Sequence, residues 1–321
     1  MRPEFPLISI AICTYNGEKY IEEQLDSIVN QSYPNLEIIV LDDCSTDNTI
    51  AIIRDKYNYP NLKLYANDCN LGFIKNFEKI LPLCNGEYIA LADQDDIWHL
   101  DKILLQSTLI KNNLLVYADS ELVDEDGVSL NKKVSDRFNF VRGNPNLAFI
   151  ISNCISGHNI LFKKDLLAYA LPLPLNVFHD IWLVFVASTI GTIDYVDLPL
   201  VKYRQHKKSV TKFHSPKIYK ALKYRNKYKV IKLIETQLQA YSNFVHPSYQ
   251  NVALVKEFSD LYHRKWLSRF DFRLFMLLIR NLNQIYAIPK ISNFKKVFRA
   301  LRECNHLFVP KKVMNFYNKK Y

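Results

Sequence analysis

The chain has 321 residues, 49% hydrophobic and 23% charged, an ordinary globular composition that excludes collagen, low-complexity disorder and a disulfide miniprotein. The net charge of +10 hides an uneven spread: residues 1–200 carry 15 Lys+Arg and 27 Asp+Glu, a net −12, whereas residues 201–321 carry 27 and 5, a net +22. No apolar run reaches the ~20 residues of a membrane span, and the chain start lacks the hydrophobic leader and cleavage site of a secretory signal.

Residues 7–13 form a short, nearly continuous apolar run that suits a strand buried on both faces. Thr14, Tyr15, Asn16 and Gly17 break it, and Ile21, Leu25, Ile28 and Val29 then repeat at helical spacing. A second strand is predicted over residues 37–41, ending in Asp42 and Asp43. Residues 45–49 supply caps for a helix carrying Ile50, Ile52 and Ile53. A third strand covers 62–65, and a helix follows Gly72 with Phe73, Phe77, Ile80 and Leu81 on one face. A fourth strand, 88–92, runs into Asp93, Gln94, Asp95 and Asp96. This alternation predicts βαβ units and a mainly parallel sheet with right-handed crossovers. Further strands are expected at 115–118, 159–162 and 199–204, and a buried helix at 178–190.

From Pro216 the character changes. Ile218, Leu222, Tyr228, Ile231, Ile234, Leu238 and Tyr241 keep near-helical spacing among many lysines, and residues 266–288 mix phenylalanines and leucines with Arg269, Arg273 and Arg280. Basic amphipathic helices of this kind suit an anionic membrane surface; ordinary helical packing is the alternative. The six cysteines, at 13, 44, 69, 84, 154 and 304, form no CxxC pair and read as free thiols in a reducing compartment.

Ligands of open α/β sheets bind beyond the carboxyl ends of the parallel strands. Three polar clusters fall at such ends: Thr14-Tyr15-Asn16, Asp42-Asp43 and Asp93-Gln94-Asp95-Asp96. Asp42, Asp43, Asp93 and Asp95 in one crevice would repel one another, and a divalent cation would relieve that repulsion. Mg²⁺ or Mn²⁺ takes one or two carboxylates together with substrate phosphates. The chain has neither a GxGxxG nor a P-loop and only seven glycines, so a glycine-rich phosphate cradle is excluded.

Together these stretches, with Asn70-Leu71-Gly72, the run from Ala92 to Trp98, Phe178-His179-Asp180-Ile181-Trp182 and Tyr203-Arg204-Gln205-His206, resemble the family 2 glycosyltransferases of GT-A fold, and most of all their bacterial rhamnosyltransferase-like branch. The resemblance covers about residues 5–212. It implies a GT-A α/β domain over 1–212, followed by a basic helical region over 213–321. Thr14, Tyr15 and Asp43 would hold the nucleotide base, and Asp93 would lie near the ribose. Asp95 would ligate Mg²⁺ or Mn²⁺, with His206 reaching the metal or diphosphate. Asp96 would support this arrangement, and Arg204 would add charge beside it. Asp180 would be the general base of a single displacement with inversion, and residues 156–159 fall where the acceptor pocket is expected.

The expected donor is a nucleotide-diphosphate sugar, with dTDP-rhamnose favoured by the branch and UDP-hexoses open. The expected acceptor is a surface-polysaccharide or lipid-linked glycan. The enzyme would sit in the cytoplasm on the inner membrane face, held by its basic region. The rival reading is a membrane or nucleic-acid binding protein with a degenerate catalytic body; no zinc-finger, RRM or helix-turn-helix signature is present, so nucleic acid is not expected. A dehalogenase-like phosphatase would need an Asp after the first strand, where Thr14-Tyr15-Asn16 stand instead.

Overall fold

The computed structural model of the protein describes residues 5–206, 227–264 and 270–304. They cluster into two compact units, one drawn from Met1–Asn144 and Cys154–Lys212, the other from Pro145–Asn153 and Phe213–Tyr321.

The first unit is built on one sheet. Strands β1 (Ile8–Thr14), β2 (Leu36–Asp42), β3 (Leu62–Ala66) and β4 (Tyr88–Ala92) pair in parallel in the order β3-β2-β1-β4. β1 and β4 are buried on both faces, as their nearly continuous apolar runs require, whereas β3 lies at the edge and alternates. Helices α1 (Ile21–Val29), α2 (Thr49–Lys56) and α3 (Phe73–Ile80) make the connections. Ile21, Leu25 and Ile28 of α1 are buried in a core with Ile8, Ile10, Ile38 and Val40. The strand order reverses direction between β1 and β4, which puts the topological switch point at their carboxyl ends.

The sheet continues beyond β4 in mixed fashion. β5 (Ile97–Trp98) and α4 (Lys102–Ile110) come next along the chain, then β6 (Leu115–Val123), β7 (Ser129–Lys133), β8 (Ile160–Lys163), α5 (Leu167–Ala170), α6 (His179–Ile190) and β9 (Ile193–Arg204). β8 lies antiparallel between β4 and β6, and β9 runs parallel to β6. The sequence reading started the last strand at Pro199, but β9 begins at Ile193. It tolerates the proline because the register against β6 shifts around Asp119 and Ser120. Helix α4 escaped the sequence reading because Lys102 and Gln106 are buried among its apolar positions and blur the periodicity.

The second unit contains α7 (Lys227–Asn243), α8 (Val252–Arg264), α9 (Phe272–Arg280), α10 (Leu282–Ile285) and α11 (Asn293–Cys304). Its core holds Leu238, Tyr241, Phe258, Tyr262, Leu278 and Tyr286. The second amphipathic stretch is not one helix. α9 starts at its cap Asp271, whose side chain accepts from the Leu274 amide at 2.9 Å, and ends at Asn281 before the short α10. The expected basic positions at 217–223 and Arg269 lie outside the described residues. Among the described residues no helix is long and apolar enough to cross a membrane.

Candidate active site

The loops beyond β1 and β2 are tied together by their own polar side chains. Thr14 lies opposite Asp42 in the sheet register and donates its hydroxyl to Asp42 at 2.7 Å. Asp42 also accepts from the Ser45 amide at 2.7 Å and the Ser45 hydroxyl at 2.6 Å. Asp42 is fully buried and belongs to this scaffold, which corrects its expected place in the crevice. Asn16, in the left-handed region at φ 49°, accepts from the Thr46 amide at 2.8 Å. Asp43 does line the cleft. Its carboxylate accepts from Asn67, the Leu71 amide and the Gly72 amide, each at 2.8 Å, and so anchors the loop that starts α3. Tyr15 is exposed beside it.

The loop beyond β4 joins the same frame through Gln94. Its side chain accepts from the Tyr15 amide at 2.8 Å and donates to the Tyr15 carbonyl at 3.1 Å. The three acids around it part company. Asp93, its side chain 43% exposed, faces the cleft, and Asp95 pairs with His206 Nε2 at 2.6 Å. Both Asp95 and His206 line the cleft. Asp96 is fully buried behind them, 3.3 Å from His158 Nδ1, and accepts from the Arg204 amide at 2.9 Å. Burial pushes the Asp96 carboxyl up to about 8, with repulsion from Asp95 and Asp93 adding to it and His158 opposing. Burial alone would lower His158, yet Asp96 and Asp93 hold it above its ordinary value. Lys102 is also fully buried, its ammonium 3.5 Å from the centre of the Trp98 ring, and burial drives its pKa well below the usual range against the pull of Asp96.

Arg204 was expected to add charge at the diphosphate, and the structure corrects this. It is only 2% exposed; its guanidinium pairs with Glu23, donates to the carbonyls of Asp95 at 2.8 Å and Glu125 at 2.9 Å, and lies over the Tyr20 ring. It braces the acidic turn from behind.

Asp180 sits in the first turn of α6, where the helix dipole favours a carboxylate. Phe178, not Asp180, is the helix cap residue. The Asp180 carboxylate accepts from the Ile181 amide at 2.7 Å and the Gly157 amide at 3.2 Å. Thr14, Tyr15, Asp43, Asp93, Asp95, Asp180 and His206 all line one cleft of about 890 Å³, a size that suits a nucleotide-bearing ligand. Residues at the ends of β1, β2, β4 and β9 and at the start of α6 are thus brought together.

Two donor sets here suit a divalent cation. The carboxylate and imidazole of Asp95 and His206 meet at the cleft, and Asp93, Asp96 and His158 present ligand atoms within 4.8 Å of one another. The first set faces the cleft, whereas the second includes two buried side chains. Sequence reasoning missed His158 as the partner of the acids, since no spacing links residue 158 to residues 93–96; its place just before β8, which pairs with β4, makes the contact.

Residues 9–169 match the profile of glycosyl transferase family 2. The chain belongs to that family. As a family 2 glycosyltransferase it is 32% identical over 213 residues to the dTDP-rhamnosyl transferase RfbG of Shigella flexneri, a stretch covering 61% of this chain and 71% of the relative. Other curated relatives are matched over shares of their length from 18% to 66%. The fold is the GT-A type. It is similar to TarS 1–349 of S. aureus in complex with UDP-GlcNAc, with a TM-score of 0.55 and 18% identity over 100% of this chain and 92% of that one. It is also similar to the mannosyltransferase PcManGT of Pyrobaculum calidifontis in complex with GDP-Man and Mn²⁺, with a TM-score of 0.53 and 18% identity over 98% and 85% of the two chains.

Proposed function

We propose that this enzyme transfers a hexosyl or 6-deoxyhexosyl group from a nucleotide-diphosphate donor to a glycan hydroxyl with inversion. The observation that carries the reading is the convergence of Asp43, Asp93, the Asp95–His206 pair and Asp180 on one cleft. Thr14, Tyr15 and Asp43 form the nucleotide end, where Asp43 is held by three donors and keeps acceptor capacity for a base N–H. Asp93 faces the ribose. Asp180 takes the proton from the acceptor hydroxyl as its oxygen bonds to the anomeric carbon. The bond from that carbon to the phosphate oxygen breaks, and its electron pair leaves with the nucleoside diphosphate. Mg²⁺ or Mn²⁺ held by Asp95 and His206 would stabilise the departing diphosphate. The rhamnosyl relative and the Mn²⁺-containing neighbour support the choice of dTDP-rhamnose as first donor and of a metal-dependent reaction.

A donor screen tests this. Purified protein with Mn²⁺ or Mg²⁺ should release nucleoside diphosphate from one sugar nucleotide, in the presence of a lipid-linked glycan acceptor. Asp95→Ala and EDTA should each abolish the release while the fold persists. Full turnover by the variant would reject the assignment of Asp95.

The acceptor side of the reading places the second unit on an anionic membrane surface. Phe294 and Phe298, one turn apart on α11, are 74% and 63% exposed with rings 5.7 Å apart, beside Lys295 and Lys296. Aromatic side chains among basic ones suit the headgroup boundary. A Phe294→Ser/Phe298→Ser double variant should float less with anionic vesicles than the parent, and equal flotation would contradict the assignment of this face.

A further inference from the structure

One side chain in the cleft is out of keeping with its surroundings. His179 is only 6% exposed, yet neither ring nitrogen has a hydrogen-bond partner among the described residues. Its ring stacks on Phe77 at 3.9 Å between centroids and 23° between planes, and meets Phe73 edge-on at 6.1 Å. Across from it the chain carries Gly157, where an added Cβ would come within 2.9 Å of His179 Nε2. Phe73 and Phe178, both lining the cleft, stack on each other at 5.4 Å. Buried polar atoms in folded proteins are almost always bonded, and those that are not call for an explanation. Packing against Phe77 does not supply one, because a purely apolar ring would pack there without two unsatisfied nitrogens.

His179 directly precedes Asp180 and lines the same cleft. Burial lowers its pKa, outweighing the pull of Asp180 and Asp93, so the ring is neutral and offers one N–H donor and one acceptor.

We propose that His179 binds the sugar being transferred, a ring nitrogen pairing with one of its hydroxyls while Phe73 and Phe178 cover the C–H face of the ring. This rests on the donor reading above and narrows it. A neutral imidazole beside Asp93 and Asp180 has no cation for a sugar carboxylate, so the subsite takes neutral hexoses and 6-deoxyhexoses and rejects uronic acids.

Calorimetry on the full chain tests it with dTDP against dTDP-rhamnose and UDP against UDP-glucose. The readout is the ratio of the sugar nucleotide's Kd to that of its bare nucleotide. His179→Phe keeps the stack on Phe77 and removes both nitrogens; it should raise the ratio about tenfold, the size of one or two neutral hydrogen bonds, and leave nucleotide affinity unchanged. His179→Asn, which retains a donor and an acceptor, should recover part of the loss. An unchanged ratio in folded His179→Phe, or an equal loss for nucleotide and sugar nucleotide, would overturn the assignment. The parent protein gives an arm that needs no variant: UDP-glucuronate should bind about tenfold more weakly than UDP-glucose, and tighter binding would overturn the neutral-sugar class. A parent that binds no nucleotide at all would overturn the donor reading itself, a result distinct from each of these.

Discussion

The two ends of the cleft are built on opposite terms. At the proposed nucleotide end polar groups are bonded to one another: Thr14 and Ser45 bond Asp42, three donors hold Asp43, and Gln94 bridges to Tyr15 in both directions. At the other end Asp93 is half exposed, Asp180 is held by two amides, and both His179 nitrogens lack partners among the described residues. A saturated network is rigid before any ligand arrives, which favours binding by lowering the ordering cost. Unsatisfied groups store interaction for the substrate and so belong where the bonds change. On the proposed function, the contrast separates a part that holds from a part that reacts.

The largest effect should come from the open end. Asp180→Asn removes the proposed base without removing its size, and turnover should fall by about 10²–10⁴-fold, the usual contribution of general base catalysis. Nucleotide affinity, measured by calorimetry, should stay at the parent value; a matching fall in affinity would erase the distinction between the two ends. At the closed end Thr14→Val should act mainly on stability. It deletes a buried bond to a carboxylate, worth about 1.5–3 kcal/mol in chemical denaturation, and its effect on turnover should be far smaller than that of Asp180→Asn.

The smallest effect concerns the buried acid behind the cleft. Asp96 ionises near pH 4 in an unfolded chain but only at about 8 in the folded one. Between those values the folded state carries the extra proton, so its stability is greatest at the acid end and is lost as pH rises toward 8. His158, also raised, adds to the loss with the same sign above its ordinary value. Melting in EDTA should therefore show a Tm that falls from pH 5 to pH 8, by ~2–4 °C for each kcal/mol lost, and a flatter profile for Asp96→Asn. A parent profile that rises over this range would refute the assignment of the proton.

The closed end was also the legible one. Its loops follow short strands whose apolar runs announce themselves, so β1, β2 and β4 and the residue Asp43 were located from pattern alone, and Asp93 and Asp95 beyond β4 by the same signal. Asp42 looked the same as Asp43 in sequence, since nothing in a pair of adjacent acids says which one turns inward to meet Thr14. Arg204 was misplaced for a related reason: the resemblance put its charge beside the diphosphate, but Glu23, far away in sequence, provides its counter-charge. His158 and His179 acquire their surroundings only when β8 and α6 pack beside β4 and α3, and a single histidine carries no periodic signal. The second unit was legible mainly as composition. Its helix boundaries were not, because Asn281 and the Asp271 cap interrupt an apolar pattern that reads as continuous.

Gln94 reaches into space that only a glycine at position 17 leaves free: a Cβ on Gly17 would collide with its amide group. The middle letter of the Asp-Gln-Asp sequence is therefore not a spacer. The two positions share one volume, and a side chain at 17 requires a concession from 94. Alanine at 17 would evict the amide and uncouple the two loops at the switch point without touching any reacting group, whereas a shorter residue at 94 would make room for it. Variation at 17 is conditional on 94, and a mutational scan taken one residue at a time would record an intolerant glycine without showing that Gln94 is what makes it so.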